Sequence, residues 1–204
     1  MKEHRLTDLV LRALAAAALS VFAMRALGAW WANPIRITVL FLFITETVTV
    51  VLVLIARLPE RRDWRPLSVA LTLAGTFYFL ALDLVPGRHL IPEWAGGFVQ
   101  CVSLLWQIYA KVSLGRSFGL LPADRGVVTT GAYRVVRHPI YLGYFAAHMA
   151  FLLVNFDLHN LIVFAALYLV QGLRLMREES LLRLQPAYRD YCRKVRFRMM
   201  PPVF

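Results

Sequence analysis

Cysteine is nearly missing from this chain: Cys101 falls in an apolar run and Cys192 in a polar tail, so neither a disulfide framework nor a cysteine-based metal site is expected. Histidine is also sparse at five residues, and His138, His148 and His159 lack the i, i+4 spacing of a helical zinc pair, so no metal is expected. Acids are scarce, 12 against 23 Lys and Arg. No repeat or low-complexity tract appears, and the connections are too short to hold a second soluble domain. Arg25 and the bulky pair Trp30-Trp31 follow the first apolar run in the region where a signal-cleavage site would need small residues, so the first segment is expected to be retained.

What is present is apolar residue. Hydrophobic residues make up 59% of the chain and mean hydropathy is +0.59, well above the roughly 45–50% apolar content of a soluble domain. Six apolar segments can be read, at Leu9 to Trp30, Ile37 to Ile55, Leu67 to Leu82, Trp94 to Ala110, Ile140 to Val154 and Leu158 to Leu173. The expected fold class is therefore all-α, a polytopic transmembrane helical bundle of about six membrane segments. Several segments are shorter than the roughly 20 residues of an untilted span, so some must borrow flanking polar residues or end inside the protein. The net charge of +11 is concentrated at segment borders. The connection from Arg57 to Arg65 has four Arg against two acids, 111–137 is Arg-rich, and the tail from Arg174 carries eight basic residues. By the positive-inside rule these regions and both termini are cytoplasmic, and the excess of Arg attracts anionic membrane lipids. Charge so distributed marks topology, so no nucleic-acid partner is expected, and no obligate protein partner is evident.

The chain divides at about residue 112 into N-terminal transmembrane helices (1–112) and a region (113–204) that gathers a Gly-containing connection, two helices and a basic, aromatic tail. The run Gly131 to Gly143 carries Arg134, Arg137 and Tyr133 straight into an apolar helix. Pro139 suits the first helical position, with His138 at the cap before it, so the freed N–H groups and the positive dipole end form a seat for an anion. The plainer alternative is an interfacial anchor, with Arg and Tyr at headgroup level. At the end of the last apolar segment Arg174 and Glu178 share one helical face, while Arg177 and Glu179 point elsewhere. Two acids so near a helix C-terminus oppose the dipole, so either the helix runs on past Leu182 or the carboxylates face cations. Glu46 and Asp83 lie within or at the end of apolar segments, where an interhelical hydrogen bond, or for Glu46 simple protonation, explains them as well as contact with substrate does. Gln107, His148 and Gln171 are read as helix-packing polar residues. Beyond Pro186 a short cytoplasmic helix with Tyr188 and Tyr191 is expected, then an extended end.

These residues resemble, in order, the integral-membrane methyltransferases that include isoprenylcysteine carboxyl methyltransferases and phospholipid N-methyltransferases. The resemblance is carried by Leu114-Gly115-Arg116-Ser117-Phe118, the run from Val127 through Gly131-Ala132-Tyr133 to Arg137-His138-Pro139-Ile140-Tyr141-Leu142-Gly143, Glu178-Glu179 with Leu182, and Tyr188, Tyr191 and Val195. It implies a cytoplasmic C-terminal pocket for S-adenosyl-L-methionine, open to the bilayer so that a lipophilic small molecule or lipid-modified substrate can enter. The positions matching the cofactor pocket are Arg125, Gly126, Val127, Val128, Tyr133, His138, Pro139, Ile140, Tyr141 and Glu178; Arg174 matches the acceptor-contacting, catalytic arginine. The connection Phe118 to Asp124 is shorter, and the spans fewer, than in the eukaryotic prenylcysteine enzymes, a departure that bears on the acceptor and leaves the cofactor positions in place.

The chemistry suits such a pocket. Helix-start N–H groups, an acid, aromatic faces and a dry cavity match the cofactor's carboxylate, ammonium, adenine and sulfonium. A carboxylate acceptor needs no base, only a cation to orient it, and Arg174 supplies a planar fork; an amine acceptor would need a base, such as Glu179 or Glu46. Carboxyl methylation is thus favoured over phospholipid or amine N-methylation. An NADPH-dependent membrane reductase would replace Pro139-Ile140-Tyr141 with further charge and lack Glu178-Glu179, and a non-enzymatic membrane protein would have no cofactor affinity.

Overall fold

The computed structural model describes residues 2–55, 66–114 and 127–200. Among the described residues seven α-helices run in chain order: α1 (Lys2–Ala32), α2 (Ile37–Ile55), α3 (Pro66–Phe77), α4 (Glu93–Leu114), α5 (Pro139–Val154), α6 (Leu158–Leu182) and α7 (Pro186–Lys194). Short 3-10 turns occupy Tyr78–Ala81 and Gly131–Arg134. The described residues contain no strand, and the all-α expectation holds.

Three helical stretches are long and apolar enough to cross a membrane: Arg12–Ala32, Ile37–Ile55 and Leu158–Ser180. Two shorter apolar helices, Ala70–Ala81 and Pro139–Val154, accompany them. Three of the expected segments thus reach full length among the described residues. Two fall short for local reasons: α3 gives way to a 3-10 turn after Phe77, and α5 stops at Val154 after 16 residues. The outward faces are apolar, with Val51, Leu54, Leu105, Ile162 and Leu169 all more than half exposed, as lipid-facing side chains would be.

α1 packs on α2, α4 packs on α5, and α2 lies against α4. Phe22, Val39, Val53, Phe79, Phe151 and Phe164 form the centre of the main core. A polar knot closes one end of the bundle. Buried Arg36 donates to the Leu84 carbonyl (2.8 Å) and to Asn155 Oδ1 (2.7 Å), and Asn155 Nδ2 donates to Thr38 Oγ1 (3.1 Å). Glu93, the first residue of α4, accepts the Thr38 backbone N–H at 2.7 Å, satisfying an orphan donor at the start of α2 with the charge its dipole favours. Asp83 accepts the Val85 N–H in a local turn, while its backbone pairs with the Asn160 side chain, which accounts for it structurally.

At the opposite end α4 and α5 are brought into close contact. A Cβ at buried Gly143 would collide with Gln107 Cγ, and Trp106 Nε1 donates to the Pro139 carbonyl at 2.8 Å. These contacts fix the entry of α5 beside the last turns of α4, where the candidate site is built.

Candidate active site

The turn before α5 depends on Gly131, whose φ of +60° lies in the left-handed region that only glycine adopts freely. A side chain there would also strike Ser113 Oγ, which accepts the Ala132 N–H at 3.3 Å. From this turn the chain passes through Val135 and Val136 to Arg137 and His138. His138 is the N-cap of α5 and Pro139 its first residue, as the sequence indicated. The His138 imidazole makes no capping hydrogen bond; it turns inward instead.

It turns toward Glu179. This carboxylate is 2% exposed, and four basic side chains converge on it. Arg137 Nε lies 3.0 Å from Oε1, an ion-pair contact not aligned as a hydrogen bond, and His138 Nε2 lies 3.3 Å from the same oxygen. Arg198 Nε donates to Oε2 at 3.0 Å, and half-exposed Arg183 reaches Oε2 at 3.4 Å. The helix ends at Leu182, so of the two ways to reconcile paired acids with its C-terminus, the cationic partners are the one found, and Glu179 has them.

Two sequence readings are corrected here. Arg137 is a buried ion-pair partner, not an interfacial anchor; Arg134 is exposed. Glu179 points into the structure, and its oxygens are too fully engaged to serve as a base. The tail runs beside the residues that lead into α5: the Arg137 N–H donates to the Phe197 carbonyl (3.0 Å) and the His138 N–H to the Arg198 carbonyl (2.7 Å). No signal in the sequence placed residues 197–198 there, because that pairing runs through the backbone.

The tail is held a second time by tyrosines. Tyr188 and Tyr191 of α7 pack with Tyr133 and Val195, and Val127, Val128 and Leu182 border this cluster. The Tyr191 hydroxyl donates to the Tyr133 carbonyl at 2.7 Å. Burial is the main cause that raises the phenol pKa values of Tyr133, Tyr188 and Tyr191 well above their ordinary value. Glu178, Tyr191 and Tyr141 push Tyr133 the same way, which puts the Glu178 carboxylate and the Tyr141 phenol within electrostatic reach of its ring hydroxyl.

The opposite wall comes from α6. Arg174 and Glu178 share a face, both half-buried, and both lie within electrostatic reach of Tyr141. The Arg174 guanidinium donates to Gln171 Oε1 at 3.3 Å and lies over Gly75 of α3, where a Cβ would be 3.0 Å from NH1. Tyr141 stands edge-on to the His138 ring, centroids 5.8 Å apart. Tyr133, His138, Pro139, Ile140, Tyr141, Arg174 and Glu178 thus gather around the start of α5 and the last turns of α6. Val127 and Val128 contribute by packing against the tyrosine cluster. Arg125, Gly126 and positions 115–118 of the motif lie outside the described residues.

No curated protein matches the chain. Residues 98–184, from α4 through the end of α6, match the model of the isoprenylcysteine carboxyl methyltransferase (ICMT) family. That span contains the α5 entry, Arg174 and the Glu178-Glu179 pair, so the similarity to that family covers the segment in which the site is built.

Proposed function

We propose that this protein transfers a methyl group from S-adenosyl-L-methionine to the carboxylate of a lipophilic acceptor that reaches the site from the bilayer. The observation that carries the reading is the convergence of Tyr133, Tyr141, Arg174 and Glu178 at the junction of α5 and α6, inside the family-matched segment. The donor set fits the cofactor. Glu178 makes no hydrogen bond among the described residues and is available to an ammonium, the rings of Tyr133 and Tyr141 offer faces to an adenine or a sulfonium, and His138 to Tyr141 with Val127 and Val128 supply a largely buried surround. When bound, the cofactor supplies an electrophilic methyl group on a sulfonium sulfur.

The protein's own contribution is orientation in a dry site. A carboxylate is already a nucleophile at neutral pH, so the acceptor needs a cation that points one oxygen forward, and Arg174 is that cation. Glu179 acts through its neighbours: by clamping Arg137, His138 and Arg198 it holds the start of α5, the tail and α6 in one register. Its engagement by cations also removes it as a general base, which weighs against an amine acceptor; Glu46 is the carboxylate left to that alternative.

Incubating membranes containing the protein with methyl-labelled cofactor, then extracting lipids, tests the reading. A carboxyl methyl ester gives label released as methanol by mild base. Label that survives base marks N-methylation, and the absence of labelled lipid at every acceptor supplied counts against methyl transfer.

A further inference from the structure

The cation assigned to the acceptor does not stand alone on α6. Gln171 lies one turn before Arg174 on the same side of the helix, and its Oε1 accepts from NH1 at 3.3 Å. Across from them is Gly75, a buried residue and the one glycine of α3. A Cβ there would lie 3.0 Å from Arg174 NH1, 3.6 Å from Gln171 Nε2 and 3.6 Å from Val170 Cγ1. These nearest neighbours are all side-chain atoms, so the missing methyl makes room for the guanidinium and its partner rather than for the α6 backbone. Gly87 is the opposite case, since a Cβ there would strike the Asn155 and Phe156 backbone at 2.7 Å. Glycine inside a helix is less favourable than alanine, so its use where a methyl first meets the tip of one side chain calls for a reason at that side chain.

We propose that Gly75 and Gln171 are positioning residues for Arg174, a role that rests on Arg174 being the cation that orients the acceptor carboxylate. Gln171 engages one N–H of the guanidinium, and Gly75 lets the group approach α3 closely. A fork already held in place loses less freedom when the acceptor arrives. The site thereby extends to α3, outside the family-matched residues 98–184 and into the half of the chain that its sequence marks only as membrane helices. Gln171 is more than a helix-packing amide. Alanine at position 75 would push NH1 aside by a few tenths of an ångström, and in reactions governed by orientation a displacement of about 1 Å can cost about 100-fold in rate.

The test compares Gly75→Ala and Gln171→Leu with a control, Gly172→Ala, in the detergent-purified full chain. Gly172 is also on α6, but a Cβ there meets nothing within 4 Å, so the control gains helix propensity without touching the guanidinium. The first readout is the Nε–Hε resonance of Arg174 in isotope-labelled protein, identified by its disappearance in Arg174→Lys. It is resolved at one position in the wild type and the control, and shifts or broadens in Gly75→Ala and Gln171→Leu. The second is methyl transfer: single-turnover rate falls at least about fivefold in those two variants, while affinity for S-adenosylhomocysteine stays within about twofold. Gly75→Ala melts no lower than the wild type and up to about 4 °C higher, so the slower protein is not the less stable one. An Arg174 resonance unresolved in the wild type or unmoved in both variants, a rate unchanged in both, or an equal fall in the control overturns the proposal. Absence of methyl transfer in the wild type overturns the methyl-transfer reading instead; the resonance, recorded without cofactor or acceptor, still decides whether Gly75 and Gln171 hold Arg174.

Discussion

Replacing Glu179 is the sharpest perturbation of the site. In Glu179→Gln the side chain keeps its size, but Arg137, 5% exposed, and His138, 7% exposed, lose the carboxylate that faces them, and Arg198, one-third exposed, loses its anchor. Breaking a buried ion pair from one side costs about 3–5 kcal/mol, because the remaining charge stays desolvated. Arg183 adds little, since it is half exposed and such pairs contribute about 0–1 kcal/mol. For a chain of this length 1 kcal/mol shifts the melting temperature by about 2–4 °C, so the expected fall is roughly 6–20 °C. Glu178→Gln, one residue away and outside the clamp, is expected to stay within about 1 kcal/mol of the wild type. The assay is thermal unfolding in detergent, paired with limited proteolysis at the C-terminus. Release of residues 197–198 from the start of α5 gives early cleavage in Glu179→Gln alone. Equal melting temperatures for the two variants would refute the clamp.

Other outcomes follow from the same geometry. Arg174→Ala is expected to keep cofactor affinity within about twofold while lowering turnover about 10- to 150-fold, the worth of a charge-assisted hydrogen bond, read by separating binding from single-turnover rate. Equal loss of both would place Arg174 in the cofactor pocket. Gly131→Ala should destabilise by about 2 kcal/mol or more, since it combines a left-handed φ with a collision at Ser113 Oγ, and Ser113→Gly should recover the part due to the collision, as read from melting temperatures. Raising pH should loosen the tail. The phenols of Tyr133, Tyr188 and Tyr191 hold their protons more tightly in the folded protein than in the unfolded chain. Their contribution is thus complete below the ordinary tyrosine value of about 10 and is lost as pH rises above it. Protease resistance of the tail that is level to about pH 9 and falls beyond about pH 10 would match; a fall centred near neutrality would not.

The helices are legible because apolar runs and Pro139 are local signals: α2 begins and ends where the apolar run does, and α5 starts at Pro139. The ends of the shorter segments are not, because length alone does not reveal that Tyr78–Ala81 tightens into a 3-10 turn or that α5 ends after 16 residues. At the site, the i, i+4 pairing of Arg174 and Glu178 put them on one face correctly. For Glu179 the sequence points to cationic partners without naming them: Arg137, His138 and Arg198 come from 42 residues upstream to 19 downstream, and no helical spacing reports such contacts. Arg137 resembles any membrane-border arginine until that partner is known.

The most direct test of the central claim is titration of the detergent-purified protein with S-adenosylhomocysteine, wild type against Glu178→Ala. Saturable binding to the wild type is expected, weakened about tenfold or more in Glu178→Ala by loss of the carboxylate offered to the ligand's ammonium on that face of α6. Absence of binding to the wild type in any detergent or lipid tested, or equal affinity in the two proteins, would contradict it.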